Sequence, residues 1–493
     1  MKRSLLSICF YFFIVSCNPI DGNEEIVQGI SQFPQILSPL HRSTNVEIQI
    51  SMQLYEPLLE IKNDVDTIRP GLAVQWTSSA DHKIYTFELR PDVYFHDGSK
   101  LTAEDIALSF KVQKNIQQTS IIFEMIDSVK VVDHLKIAFY LKHPSPVFLQ
   151  ALASPYGLII FKPIKGNSIP AGTGPYKLKS IEPDEWILLS QFKKYWGKKG
   201  KVKRVRFRYY KERRSIENAI VSDKVDVIYL VPGHSIDRLK WLKKIEYYVQ
   251  QPSSVFFLGF NNAVAPFNDR RIRKAVLKAI NIPILVLNTN RGNAAIAKGP
   301  LPETFFPYTS QTQENFDLHE SKKLLKEAGY EKGLNVNLIF PSMAFNRAIL
   351  ANILQADLAK ANIHLKLIYT KTWQEHDRLI NSDSCHLFIT GGRPEIAGDM
   401  ESMLRDFFYS QSPFNLTHYH NKYVDNWLDE ARVEMNPPKR NRLIRLVVKQ
   451  ILEDIPAVFL YHVKPHFAFN REKIKKLVVD PYGIIQYHRL ELR

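Results

Sequence analysis

The chain has 493 residues, 45% of them hydrophobic, and a formal net charge of +16 at neutral pH. That length gives room for roughly three domains at about 150 residues each, and the composition excludes disordered and collagen-like chains. Cysteine stands only at positions 9, 17 and 385, which excludes an internal disulfide framework in the body of the chain, while the basic balance admits nucleic acid, anionic lipid or acidic ligands as partners.

The first element in chain order is a leader. Lys2 and Arg3 precede an apolar run from Leu5 to Val15, followed by Ser16 and Cys17. A positive start, a short apolar stretch and a small residue before the cleavage point read as an export signal, and Ile14-Val15-Ser16-Cys17 resembles a bacterial lipobox. The apolar run is shorter than the ~20 residues a membrane-spanning helix needs. The expectation is a signal peptide over 1–16, lipid on Cys17, a leash from Asn18 to Glu25, and a body held at a membrane on the extracytoplasmic side. Several acyl chains, at about 0.8 kcal/mol per buried methylene, suffice to hold a large polar body at a bilayer.

Further along, the alternation in Ile84-Tyr85-Thr86-Phe87-Glu88-Leu89 predicts a half-buried strand. Asp97-Gly98 predicts a turn, and Thr102 with Asp105 three residues on has the spacing of a capped helix start. The densest basic run, Lys193 to Arg214, alternates Arg204, Arg206 and Arg208 with Val205, Phe207 and Tyr209. That is the pattern of a strand with one wet face, preferred here over a nucleic-acid surface, and on an exposed strand such cations discourage edge-to-edge pairing. Ile272, Val276, Ala279 and Ile280 recur at helical spacing behind the candidate caps Asn268 and Asp269. Helices are predicted from Glu320 to Ala328, stopped by Gly329, from Arg347 to Ala361, and from Asn441 to Leu452 before Pro456. Leu334, Val336, Leu338 and Phe340 alternate as a strand among them. Strands and helices interleave throughout, so the class is α/β or mixed α+β.

The common enzyme signatures are missing: no G-x-S-x-G elbow, no H-E-x-x-H helix and no G-x-x-x-x-G-K-[ST] loop. Gly172-Thr173-Gly174 lacks a third glycine, and Pro175 follows where a helix would begin donating amides. His418 and His420 flank Tyr419, which on a strand would put both imidazoles on one face, and His462 and His466 follow later. Without Cys or carboxylates at ligand spacing they read as surface or hydrogen-bonded histidines, and no metal or cofactor is expected. Cys385, without a partner thiol, reads as a buried filler.

A collinear series of segments resembles the oligopeptide- and dipeptide-binding proteins of ABC importers, the family 5 extracellular solute-binding proteins. It begins with Leu54-Tyr55-Glu56-Pro57-Leu58-Leu59, Arg69-Pro70-Gly71-Leu72-Ala73 and Trp76, and continues through Tyr85 to Arg90. Phe95-His96-Asp97-Gly98 with Leu101-Thr102-Ala103-Glu104-Asp105-Ile106 is similar to that family's signature. Gly172-Thr173-Gly174-Pro175-Tyr176, Tyr195-Trp196-Gly197, Phe260-Asn261, Pro266-Phe267, Asp269 and Ile272-Arg273-Lys274-Ala275 extend it. Ala328-Gly329-Tyr330, Asn415 with Tyr419, Asp425 to Ala431, and Ile455-Pro456 carry it into the C-terminal part.

The resemblance implies a two-lobed periplasmic-binding-protein fold of type II, cluster C-like, with a hinge and an interlobe ligand cleft. It places lobe I at 17–45, 164–252 and 467–493, an extra subdomain of that lobe at 46–163, and lobe II at 253–466. The implied protein is a monomeric carrier and not a catalyst. It binds peptides extended through their backbone groups, and its partners are a permease with its ATPase subunits and, through the N-terminal lipid, a membrane, but not nucleic acid. Members also carry nickel chelates, haem or sugars. Peptide-binding members commonly have a G-W-x-x-D-Y segment whose Asp pairs with the peptide amine; here Gly391-Gly392-Arg393-Pro394-Glu395-Ile396 is its counterpart. Glu395 is then the amine anchor, with Asp399 the alternative if the register slips. Trp373 and Tyr461 are candidate aromatic pocket walls, and Asn415 is a candidate backbone-binding residue or a turn cap.

Overall fold

The computed structural model describes residues 24–34, 37–40, 44–61, 67–116, 121–165, 169–231, 233–252, 254–291, 293–306, 312–342, 347–392 and 399–493. The leader with Cys17, and Glu395, lie outside these residues. Among them are three larger sheets. The first has seven strands in the order Tyr176–Glu182, Trp186–Gln191, Arg204–Tyr209, Glu25–Ile30, Val227–Ile228, His466–Asn470, Ile245–Val249. The second has six, in the order Ala294–Ile296, Ala457–Val463, Val255–Phe260, Leu387–Gly392, Leu334–Pro341, Ile363–Thr370. The third has four: Ala73–Ser78, Ile84–Leu89, Lys136–Leu141, Ile126–Asp133.

Local chemistry explains these elements. In Ile84–Leu89 the residues Tyr85, Phe87 and Leu89 are buried while Ile84 is exposed, and Phe87 meets Phe139 of the neighbouring strand edge-to-face at 5.5 Å. Aromatic cross-strand pairs of this kind add to plain area burial. Arg204–Tyr209 also alternates as expected, with Val205 and Phe207 fully buried, but it is an interior strand between two partners and protects no edge. On its other face Arg206 donates to Glu25 at 2.7 Å and lies over Trp186, Arg204 is 4.0 Å from the same carboxylate, and Arg208 is exposed.

Asp269 caps Arg270–Ala279 by accepting from the Arg271 amide, and Asp317 caps Leu318–Glu327, which Gly329 ends at φ +85°. The last long helix, Pro437–Asp454, starts a turn earlier than its periodicity announces. Asn436 caps it, and prolines in a first turn cost nothing because those amides have no intrahelical acceptor. Asp105 accepts from the Thr102 amide at 2.9 Å, completing the start of Ala103–Ile116.

The four-stranded module is fastened to the seven-stranded sheet. Helix Asn45–Leu54 gives Ile48 to the core beneath the four-stranded sheet and Ile50 and Leu54 to the core of the seven-stranded one. Gly172 and Gly174 press on its end. A Cβ at Gly172 would sit 1.9 Å from the Leu54 carbonyl oxygen, and one at Gly174 2.5 Å from that of Gln53, so the glycine pair serves close packing of chain on chain. Between the seven- and six-stranded sheets the chain crosses twice, from Val249 to Val255 and from Val463 to His466. The crossings run side by side: the Gln250 amide donates to the Pro465 carbonyl at 2.9 Å, and His462 Nδ1 lies 2.8 Å from the Ser254 carbonyl oxygen.

Candidate ligand-binding site

Three strands of the six-stranded sheet run parallel: Leu334–Pro341 lies between Ile363–Thr370 and Leu387–Gly392. Their carboxyl ends therefore open at one edge, the position where α/β sheets present ligand crevices. The first leads toward Arg347, at the start of helix Arg347–Ala359; the second to Trp373, at the start of helix Trp373–Ile380; the third to segment 393–398, which carries Glu395. Both crossings to the other sheet leave from the same edge, since Gly392 pairs with Val255 and Tyr461 with Phe256.

An aromatic and cationic cluster is built there. Phe256 and Tyr461 stack at 5.3 Å with 19° between their planes. The Arg347 guanidinium lies 4.3 Å over the Phe256 ring, and Tyr461 hydrogen-bonds Arg347 and Asn290. Arg347 Nε is buried without a partner, and among the described residues no carboxylate pairs with Arg347. Burial pushes its pKa down, opposed by Tyr461. A half-buried cation with an unsatisfied donor is costly unless something anionic or strongly accepting arrives. Of this cluster, Tyr461 is among the sequence candidates, and Arg347 and Phe256 are not.

The remaining candidates divide. Trp373 opens its helix behind the Thr372 cap, and its side chain lies outside the described residues. Asp399 is buried at the N-cap of helix Met400–Phe408, where it accepts from the Ser402 amide at 2.9 Å and from Arg440 at 2.7 Å. The Arg440 guanidinium and the Ser402 bonds overcome desolvation and hold its pKa below the usual carboxylate value. Asn415 donates to the Tyr409 and Tyr419 carbonyls, at 3.2 and 2.8 Å, and accepts from Thr417 at 2.7 Å, which is the bonding of a turn cap. His418 and His420 lie in irregular chain and not on a strand, His418 with φ +51°, so their rings share no sheet face. No group of three potential metal ligands occurs among the described residues. Cys385 is fully buried, and burial pushes its thiol up to about 12, which makes it inert.

A second buried polar centre fastens the module. Glu56 accepts from Tyr195 at 2.9 Å and Trp196 at 3.1 Å, so the Tyr-Trp-Gly segment anchors the strand Glu56–Pro57. Burial raises Glu56 to about 7, against the lowering effect of those donors and Thr173. His488, T-shaped to Tyr195 at 5.7 Å, is pushed down to about 3 by burial.

Two lobes joined by two side-by-side crossings, with the carboxyl edge of one sheet at that junction, are the fold of a binding protein of the periplasmic type II class. The chain belongs to the bacterial extracellular solute-binding proteins of family 5, whose middle-region profile matches residues 67–415. It is 28% identical over 472 residues to the dipeptide-binding protein of Escherichia coli K12, with 88% of each chain covered. It is 24% identical over 471 residues to heme-binding protein A of Haemophilus influenzae, covering 88% of this chain and 86% of that one. The crystal structure of NikA from Brucella suis in complex with Fe(III)-EDTA superposes with a TM-score of 0.87 over 95% of this chain and 100% of that one, at 20% identity. Family members act outside the cytoplasm as substrate-binding proteins of ABC importers and are not enzymes. Among the described residues no helix is long and apolar enough to cross a membrane.

Proposed function

We propose that this chain captures peptides in the interlobe cleft and delivers them to an ABC importer permease, held at a membrane by lipid on Cys17. The observation that carries the reading is Arg347, a half-buried guanidinium without a carboxylate partner among the described residues, beside the Phe256–Tyr461 stack. Glu395, on the segment leaving the adjacent parallel strand, supplies the opposite sign. A peptide in water carries both charges, a carboxylate to pair with Arg347 and an ammonium to pair with Glu395. Asp399 is committed to Arg440, which leaves Glu395 as the preferred amine anchor. In this reading lobe I gathers 17–45, 164–252 and 467–493, with 46–163 as its extra subdomain and 253–466 as lobe II. The seven-stranded sheet supports it by drawing strands from Glu25–Ile30, from Tyr176–Glu182 to Ile245–Val249, and from His466–Asn470.

Native mass spectrometry of the gently purified chain, with fragmentation of what it releases, tests the substrate. A ladder of peptides of similar length is expected. A single non-peptide mass would keep the fold and overturn the substrate, in favour of a second reading in which the solute is a metal chelate or haem. That reading has support from the names of the Haemophilus influenzae and Brucella suis proteins and from the missing Trp and Tyr of the G-W-x-x-D-Y pattern. Glu395→Gln then separates the ends of the ligand. Binding of free-amine peptides is expected to weaken by about 3 to 5 kcal/mol, the cost of breaking a buried ion pair, with little change for N-acetylated ones.

A further inference from the structure

Besides the two crossings, two ion pairs among the described residues join the six-stranded lobe to the rest of the molecule. Arg432, in the last turn of helix Lys422–Val433, reaches Glu124 of the short helix Ile121–Met125 at 2.6 Å. Arg291, the left-handed cap of helix Ile282–Asn290, reaches Asp237 of helix Gly233–Leu239 at 3.2 Å. Glu124 belongs to the four-stranded module, and that module moves with the seven-stranded sheet because Asn45–Leu54 is shared between their cores and Glu56 is held by Tyr195 and Trp196. Both pairs therefore join bodies that turn relative to one another about the two crossings. The Glu124–Arg432 pair stands at the wall of a cavity of about 450 Å³, with Met125 and Val147 on one side and Glu401 and Val433 on the other, so at this point the ion pair, and not side-chain packing across the cavity, bridges the two surfaces.

We propose that Glu124–Arg432 and Asp237–Arg291 are closure pairs: positioning residues that set the ratio of closed to open lobes, and through it solute affinity, without touching the solute. The inference rests on the hinged two-lobe fold and not on the solute being a peptide. The pairs are at least partly exposed, with side chains between 30% and 57% accessible. Neutralising one is therefore expected to raise the open-to-closed ratio by about 1.5- to 5-fold, the range measured for exposed pairs. Salt acts in the same direction, because the Debye length shrinks from ~30 Å at 0.01 M to ~3 Å at 1 M.

The test is small-angle X-ray scattering of the solute-free full chain at low and high salt, for the wild type and the double variant Glu124→Gln with Arg291→Gln, which removes from each pair the partner that makes no other ion pair among the described residues. The wild type is expected to expand as salt rises. The double variant should be more expanded than the wild type at low salt and should respond less to salt. Unchanged melting temperatures would accompany these shifts, since the pairs join lobes and do not fold them. A radius of gyration indifferent to salt and substitution would overturn the proposal. Titration with trialanine adds an independent arm. A dissociation constant raised by the factor by which the closed fraction falls is the expected result. Failure of trialanine to bind any variant counts against the peptide reading alone, because the scattering decides the closure pairs without a ligand.

Discussion

Arg347 stands where a cation is least welcome, at the first turn of a helix whose amides already concentrate positive charge. The seat over Phe256 and the bond to Tyr461 offset part of that cost, and the unpaired Nε leaves the rest to a ligand. Arg347→Ala is expected to weaken peptides with a free carboxylate by about 2 to 5 kcal/mol, the cost of truncating one partner of a desolvated pair. C-amidated peptides should lose much less. Calorimetric titration of matched acid and amide peptides reads the difference, and equal losses would remove Arg347 from carboxylate recognition. Nothing in the local sequence distinguishes Arg347 from other helical arginines except its place at an N-terminus. That no carboxylate among the described residues pairs with it is a long-range property, set by elements far apart in the chain. Tyr461 was legible only through its position after Ile455-Pro456. Asn415 was legible as a polar turn residue, but its bonds to Tyr409, Thr417 and Tyr419 depend on a loop whose path the sequence does not spell out.

Elements were more legible than sites, because periodicity is local and partner choice is not. The helix at Arg270–Ala279 and the strands at Ile84–Leu89 and Leu334–Pro341 appear where their patterns place them. The interior place of Arg204–Tyr209 could not be read, since the carboxylate that accepts its arginines lies at Glu25, on a strand nearly 180 residues earlier. Asp399 makes the same point for a helix. Seen in sequence it is an acid near a ligand segment; folded, it caps Met400–Phe408 and pairs with Arg440 of the long helix Pro437–Asp454, tying two helices together. Asp399→Ala is expected to destabilise the protein by about 3 to 5 kcal/mol, since it strands a buried guanidinium and removes a cap. Denaturant melts measure this. Whatever peptide binding survives should keep its preference for a free amine, and loss of that preference at full stability would return Asp399 to the role of anchor.

At the scale of the whole molecule, the seam between the four-stranded module and the seven-stranded sheet makes stability depend on pH in two opposed ways. Glu56, Glu60, Arg69, Tyr195, His488 and Arg489 surround a cavity of about 80 Å³ at this seam. Glu60 is paired with Arg69 and Arg489, while burial shifts Glu56 up and His488 down, so these two change protonation between acid and neutral pH. Glu56 rises from 4.5 to about 7 on folding. Between those values the native state holds a proton that the unfolded chain has lost, so stability falls as pH rises through the window. His488 falls from 6.5 to about 3. There the unfolded chain holds the extra proton, so stability is lost as pH falls through 6.5 toward 3. The two windows overlap, and a melting profile of the wild type alone mixes them. Comparison with Glu56→Gln separates them, because the histidine contribution is common to both proteins. The stability advantage of the wild type over Glu56→Gln is expected to shrink from pH 4.5 to pH 8 by on the order of 3 kcal/mol, the free energy of a shift of about 2.5 pKa units. A difference constant across that range would mean that Glu56 ionises in the folded protein as it does in the unfolded chain, with Tyr195 and Trp196 holding it as a carboxylate throughout that range.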